Sequence, residues 1–373
     1  MPGDKYPKFK AAAVQAAPVF LDRDATIDKI AQLVPQAKAL CADLVVFLEA
    51  FIPTFPVWNI LLAPIDQHPF YKRLFENSVL VPSPQSKKLG EIASQNEVFL
   101  SVGINEKSDY SMGAIWCSQL LYDRKGKLIN RHRKLVPTWA EMLSWNPGDA
   151  SDLRPVDTEL GKIGTLICGE NSNTLARFSL LAQGEQVHIS CYPPAWPFRR
   201  TASKSGQGGA YDMKEINRIR SAAHAFEGKV FVIAAAYVLD KDAIEQMTSG
   251  SAENRTLLEN AAKPASMIVG PTGDMLAEPV VGVEGIVTAD IDIAESIVLK
   301  EAHDIIGRYN RFDVFQLRVN QTRLKPIRLY STASAFEERA PSPCDFEEQD
   351  PEETVPSQTS PGPSPRRGKK VQG

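Results

Sequence analysis

Cysteine is scarce in this chain. Five residues, Cys41, Cys117, Cys168, Cys191 and Cys344, are spread over 373 positions. An odd, widely spaced set argues against a disulfide framework and against a Cys-x-x-Cys metal site, and points to a reducing, cytoplasmic compartment. Charge of one sign is lacking as well. A net charge of -3 leaves no basic face to neutralise a run of phosphates, so no nucleic-acid partner is expected. The longest apolar runs, such as Val230 to Leu239, reach about half the length of a bilayer-spanning helix, and no membrane association is expected. The N-terminal stretch breaks its only apolar run with Lys10 and has no long apolar core, so no secretory signal is expected. No Gly-rich phosphate loop occurs, and no His, Asp and Glu residues show metal-ligand spacing; neither metal nor cofactor is expected. There is no short-period repeat.

What the chain has is a globular balance, 43% hydrophobic and 23% charged, with strand-like and helix-like stretches in alternation. "KFKAAAVQAAP" reads as an opening strand. Residues 24–41 place Ile27, Ile30, Val34, Ala37 and Cys41 at helical spacing, which gives one buried face. "ADLVVFLEA" (42–50) is a near-continuous apolar run, as in a strand covered on both sides. A helix over 84–96, a strand over 97–105, and two strands around a turn at 124–126 follow. Then come "GKIGTLIC", a helix near 174–183, "QVHISCY", a long helix over 213–226, "KVFVIAAAYV" and a hairpin turning at 270–274. The series predicts an α/β domain with a mixed sheet, residues 1–310. Residues 311–330 contain "RFDVFQLRVN", apolar enough to predict a subunit contact. From Ser331 to Gly373, Pro, Ser and Glu replace large apolar residues, which predicts a disordered tail.

Three polar residues stand at the ends of apolar strands. Glu49 ends "DLVVFLE", Lys134 follows "LINRHR", and Cys168 ends "KIGTLIC". Rigid strand ends are where a sheet protein presents side chains to a cleft. Each residue alone has an ordinary reading: a buried small Cys, a solvated Glu, an exposed Lys. Together they form a chemical set. A thiol needs a base to become a thiolate. A glutamate raised by desolvation can be that base, and an ammonium can stabilise charge on a tetrahedral intermediate. Gly169 would allow a backbone N–H to approach that charge and the chain to turn sharply behind the thiol. His132 and His188 could in principle form a Cys–His pair, although a histidine in an apolar strand is more often structural.

The stretches "AAVQAAPVFLD", "VVFLEAFIPTFP", "RHRKLVPTWAE", "LICGEN", "LARFSLLAQGEQVHIS" and "YPPAWP" resemble, in order, the nitrilase superfamily of carbon-nitrogen hydrolases, and within it the nitrilase branch. The resemblance implies an α-β-β-α sandwich that pairs into a homodimer and often extends into helical filaments. It implies Glu49 as general base, Lys134 as electrostatic stabiliser and Cys168 as nucleophile. Glu141 matches a second glutamate that positions substrate and water. Glu170 and Asn171 match the Cys-x-Glu-Asn pattern and are expected to hold the nucleophile turn.

Two departures bear on the pocket. Most nitrilases carry tryptophan where Gly169 stands, and Trp139 stands where histidine is common. Trp58, Trp139, Gly169, Tyr192 and Trp196 are candidate pocket residues, although aromatics populate cores and interfaces equally. The implied activity is hydrolysis of a small-molecule nitrile to acid and ammonia through a Cys-bound thioimidate and thioester. An amidase or carbamoylase of the same superfamily, or a nitrile- or cyanide-hydrating enzyme that releases amide, is the alternative. Glu170 argues against the amidase branches, which more often carry aspartate at that position.

Overall fold

Apolar runs bounded by polar turns build two six-stranded sheets in the computed structural model, which describes residues 6–196, 212–248 and 250–327. The first five strands, β1 (Lys8–Gln15), β2 (Leu44–Val46), β3 (Phe99–Lys107), β4 (Ile115–Tyr122) and β5 (Leu128–Arg133), lie in sequential order in the first sheet. The second sheet holds β6 (Val156–Thr158), β7 (Gly161–Ile167), β8 (Val187–Cys191), β9 (Phe231–Ala235), β10 (Ala265–Val269) and β11 (Val280–Val281). The chain then returns to the first sheet as β12 (Gly285–Asp292), antiparallel to β1. Both sheets are parallel at the centre, β1–β2–β3 and β7–β8–β9, and antiparallel at their margins. This is the mixed α/β architecture that the alternation predicts.

Helices α1 (Arg23–Ala39), α2 (Trp58–Leu61), α3 (His68–Asn77) and α4 (Pro84–Gln95) belong to the first half of the chain. Helices α5 (Thr174–Ala182), α6 (Met213–Gly228), α7 (Lys241–Thr248), α8 (Ala252–Glu259) and α9 (Glu295–Ala302) belong to the second. α1 starts at Asp22, whose carboxylate accepts the Ala25 N–H at 2.9 Å. It buries Ile27, Ile30, Val34 and Ala37, the stripe read from the sequence. α4 packs against α1, β3 and β4, while α6 packs on β9 and β10. The sheets meet through β1 and β2 on one side and β9 and β10 on the other, giving α-β-β-α layers. Val45, Val46, Ile189 and Ile233, on the central strands of the two sheets, are fully buried, each worth about 1.5–3 kcal/mol relative to exposure.

β2 is shorter than the sequence suggests. Pairing stops at Val46, yet Phe47 to Phe51 stay buried. The chain arches over Gly103, where a Cβ would collide with the Leu48 carbonyl, and rejoins β3 at a bridge between Ile52 and Ile104. The arch carries Glu49. β5 runs parallel to β2, because β3–β4 and β4–β5 are both antiparallel, so Lys134 and Glu49 leave the same edge of the sheet. Beyond α9, Phe312, Val314 and Phe315 are exposed, Phe315 at 70%. Leu324 N–H donates to Asp149 Oδ2 at 2.8 Å and Arg323 pairs with Asp152 at 3.0 Å. The tail expected from Ser331 to Gly373 lies outside the described residues.

Candidate active site

The strand β7 is buried along nearly its whole length and delivers Cys168 into a short 3-10 turn, Cys168–Ser172. Cys168 has a φ of 50°, the left-handed region, which costs an L-residue about 1–2 kcal/mol. The sequence predicts the sharp turn at Gly169. Gly169 has no positive φ, so the strained residue is the cysteine itself. Ala50 (φ 50°) and Trp139 (φ 43°) are strained in the same way, one after Glu49 and one before Glu141. Strain gathered in three converging loops is a mark of a functional site.

Glu170 and Asn171 hold the turn. Glu170 Oε2 accepts the Ile167 N–H at 2.7 Å and meets His132 Nε2 at 2.9 Å, and Oε1 accepts the Leu135 N–H at 2.6 Å. Burial pushes this carboxyl up, but the His132 ring and the donated N–H groups outweigh it and hold it below the usual range. Asn171 Nδ2 donates to the carbonyls of Cys168 at 3.1 Å and Leu166 at 3.2 Å. His132 and His188 therefore serve structure: His132 grips Glu170, and His188 Nε2 meets Asn171 Oδ1 at 2.8 Å.

Glu49, Lys134, Glu141 and Cys168 come together although 119 positions of sequence separate the first from the last. Lys134 Nζ donates to Glu49 Oε1 and to Glu141 Oε2, each at 2.6 Å. Glu141 Oε2 also accepts the Thr138 N–H at 2.6 Å, which closes the "PTWAE" turn. Oxygens of Glu49 and Glu141 and the Cys168 sulfur all lie within 4.8 Å of one another. All four side chains are buried. Glu49 Oε2 and Glu141 Oε1 have no hydrogen-bond partner among the described residues.

Burial raises Glu49 from 4.5 to about 8; Lys134 opposes the rise and Glu141 adds to it. Burial, then the Glu49 charge, pushes the Cys168 thiol well up, so the resting sulfur keeps its proton. Lys134 is raised: burial would lower it, and the two carboxylates outweigh burial. It is a fixed cation between two acids.

Of the candidate pocket residues, Tyr192 is fully buried and follows Cys191, which pairs with Ile167; it thus stands beside Cys168 at the strand ends. Trp196 meets Phe55 edge-on at 6.4 Å, and Phe55 meets Trp145 at 5.3 Å. The Trp145 ring lies 5.4 Å from Lys134 Nζ. Trp139 is 65% exposed. Trp58 stacks on Phe70 at 5.2 Å and meets Phe20 edge-on, the packing of a core residue. Sequence reasoning passed over Cys117, whose Sγ lies 3.7 Å from Glu49 Oε1, and Trp145, Phe55 and Thr138. The outward neighbour Arg133 pairs instead with buried Glu106, the strand alternation that turns Lys134 inward.

The expectation of no metal rested on sequence spacing, and in space two carboxylate-containing clusters do converge: Glu49–Glu141–Cys168 and Glu185–His188–His224. In the first, Lys134 already bridges both carboxylates. In the second, each ring already meets a Glu185 oxygen.

Residues 10–301 match the carbon-nitrogen hydrolase family. "Nitrilase 3" of an unknown prokaryotic organism is 35% identical over 346 residues, 92% of this chain and 97% of that one. A nitrilase of Pseudomonas syringae pv. syringae is 34% identical, covering 83% and 89%. The crystal structure of a carbon-nitrogen hydrolase from Helicobacter pylori G27 matches with a TM-score of 0.64 at 20% identity, covering 83% and 97%, a likeness of fold. Among the described residues no helix is long and apolar enough to cross a membrane. The ordered motifs, the paired sheets and these matches lead to one conclusion: the chain belongs to the carbon-nitrogen hydrolase family.

Proposed function

We propose that the protein is a nitrilase, with Cys168 as nucleophile, Glu49 as general base, Lys134 as electrostatic stabiliser and Glu141 as the residue that positions water. The observation that carries this reading is the pair of buried carboxylates on one ammonium, each with an oxygen that has no partner among the described residues, beside a buried thiol. The relatives named nitrilases at 34–35% identity support the substrate class. As sulfur attacks the nitrile carbon, Glu49 takes the thiol proton and passes it to the nitrile nitrogen, leaving a thioimidate. Water adds to that carbon and gives a proton to a carboxylate, while Lys134 balances the developing charge. The carboxylate returns that proton to nitrogen, the hydroxyl proton follows, and cleavage of the C–N bond releases ammonia and leaves a thioester. A second water cleaves the C–S bond, giving the carboxylic acid and the free thiol. If the C–S bond breaks before the C–N bond, the product is the amide.

The test is ammonia and product analysis with aliphatic, arylaliphatic and aromatic nitriles and their matching amides. Acid and ammonia from nitriles support the reading; turnover of amides alone overturns it. We take the compartment to be the cytoplasm, since the free cysteines include an exposed one, Cys41. We assign residues 311–330 to contact with a second copy of the chain in a homo-oligomer, a dimer or a longer filament. Clustered exposed Phe and Val side chains such as Phe312, Val314 and Phe315 are costly to leave in water.

A further inference from the structure

A second buried polar chain lies behind the nucleophile turn, on the helix side of the second sheet. His224 Nε2, on α6, meets Glu185 Oε2 at 2.7 Å. Glu185 Oε1 meets His188 Nδ1 at 2.8 Å, and His188 Nε2 meets Asn171 Oδ1 at 2.8 Å. Asn171 Nδ2 then donates to the carbonyl of Cys168. The orientation of the Asn171 amide is set by two carbonyls on its nitrogen, so its oxygen is the acceptor. Both nitrogens of His188 thus face acceptor oxygens, and the ring is tied at both ends. All four side chains are buried, and the two imidazoles lie 4.0 Å apart. Gly164 on β7 leaves the room: a Cβ there would run into Glu185 Oε1.

Burying a carboxylate and two imidazoles costs free energy that hydrogen bonds must offset, and among the described residues every polar atom of these three side chains but His224 Nδ1 has a partner. Here the network ends on the backbone oxygen of the one left-handed residue in the turn. We propose that Glu185, His188 and His224 are positioning residues for Cys168: a buried relay from α6 through β8 to Asn171 that holds the Cys168 carbonyl and keeps the strained turn in the conformation presenting the thiol. The proposal rests on the reading of Cys168 as nucleophile. None of the three touches the reacting atoms. They act through Asn171, as outer-sphere partners do when they orient a catalytic group.

The test uses Glu185→Gln, His188→Gln, the double variant and His224→Gln, each checked for a cooperative melt. Two quantities are measured: kcat and KM on a nitrile the wild type accepts, and the rate of Cys168 alkylation by iodoacetamide, read on its peptide by mass. The expected result is a parallel fall in kcat and alkylation rate, up to about 10²-fold for His188→Gln, the scale of a misplaced reacting group, with KM held. The double variant should lose no more than the worse single one, since the residues act in series. His224→Gln should lose less, in the same direction. Additive losses, a KM change alone, or an unchanged alkylation rate would overturn the proposal. If His188→Gln does not fold, Glu185→Gln and His224→Gln decide: wild-type kcat and alkylation in both overturns it. If the wild type hydrolyses no nitrile, the proposed function fails, and the alkylation rates still judge the relay.

Discussion

A Cβ built on Gly169 would stand 3.2 Å from Thr138 Oγ1. The nucleophile turn and the "PTWAE" turn therefore approach each other at Gly169, where the sequence departs from the nitrilase resemblance. At that distance Thr138 must yield by a few tenths of an ångström for alanine and must move aside for an indole. Gly169→Ala should keep turnover within about threefold, and Thr138→Ala should recover what is lost. Gly169→Trp should cut kcat/KM for arylaliphatic nitriles at least about tenfold relative to short aliphatic ones, the scale of a pocket-filling change. Competition between two such nitriles measures the ratio directly; an unchanged ratio would mean that this face does not bound the pocket.

Glu49 is a base that burial has raised to about 8. A carboxyl must be ionised to take the thiol proton, so activity should rise with pH toward about 8 and fall below it as Glu49 protonates. Glu49→Gln keeps an oxygen for Lys134 but cannot accept the proton, and should lower kcat by about 10³-fold or more with the fold intact. Glu141→Gln, at the residue assigned to position water and not to take the thiol proton, should cost less. The check is a kcat/KM profile from pH 5 to 9 for wild type. A flat profile would contradict the assignment of Glu49 as base.

Which parts of this were readable beforehand follows from how each residue is positioned. Glu49, Lys134 and Cys168 stand where an apolar run stops, and a polar residue closing such a run leaves a signal in one dimension. "ADLVVFLEA" overran because apolar composition reports burial: Phe47 to Phe51 remain in the core after pairing ends at Val46. β12 went unread although Val287, Ala289 and Ile291 alternate inward, since Thr288 and Asp290 dilute the stretch. Glu185 and His224 are 39 residues apart and meet through folding alone. Trp58 and Trp139 show the limit of residue type: one indole is packed in the core and the other faces solvent.

The relay also sets an acid limit on stability. Burial and neighbouring His188 lower His224 to about 4, although Glu185 opposes them. Burial would raise Glu185, but His188 and His224 outweigh it and hold it at about 2. In both cases the unfolded chain binds more protons than the native one, His224 between about 6.5 and 4 and Glu185 between about 4.5 and 2. Stability from these groups is thus present at neutral pH and lost as pH falls through those windows. Denaturant melts at pH 7, 5 and 3.5 should show a smaller loss for His224→Gln than for wild type between pH 7 and 5. An equal loss would remove His224 from the account of acid sensitivity.

Phe312 and Phe315 lie 60% and 70% exposed on the segment assigned to a subunit contact. Phe312→Ser/Phe315→Ser should shift the protein to a smaller assembly in light scattering, with the melt of the protomer little changed. An unchanged particle mass would show that oligomers, if formed, use another face.

The most direct measurement concerns the bond to sulfur. Wild type and Cys168→Ala are mixed with a slowly turned-over aromatic nitrile, quenched in acid during turnover, digested and weighed. The expected result is an added mass, thioimidate or thioester, on the peptide carrying Cys168, with no adduct and no ammonia from the variant. Steady turnover by Cys168→Ala, or wild-type turnover with the adduct on another residue, would contradict the mechanism.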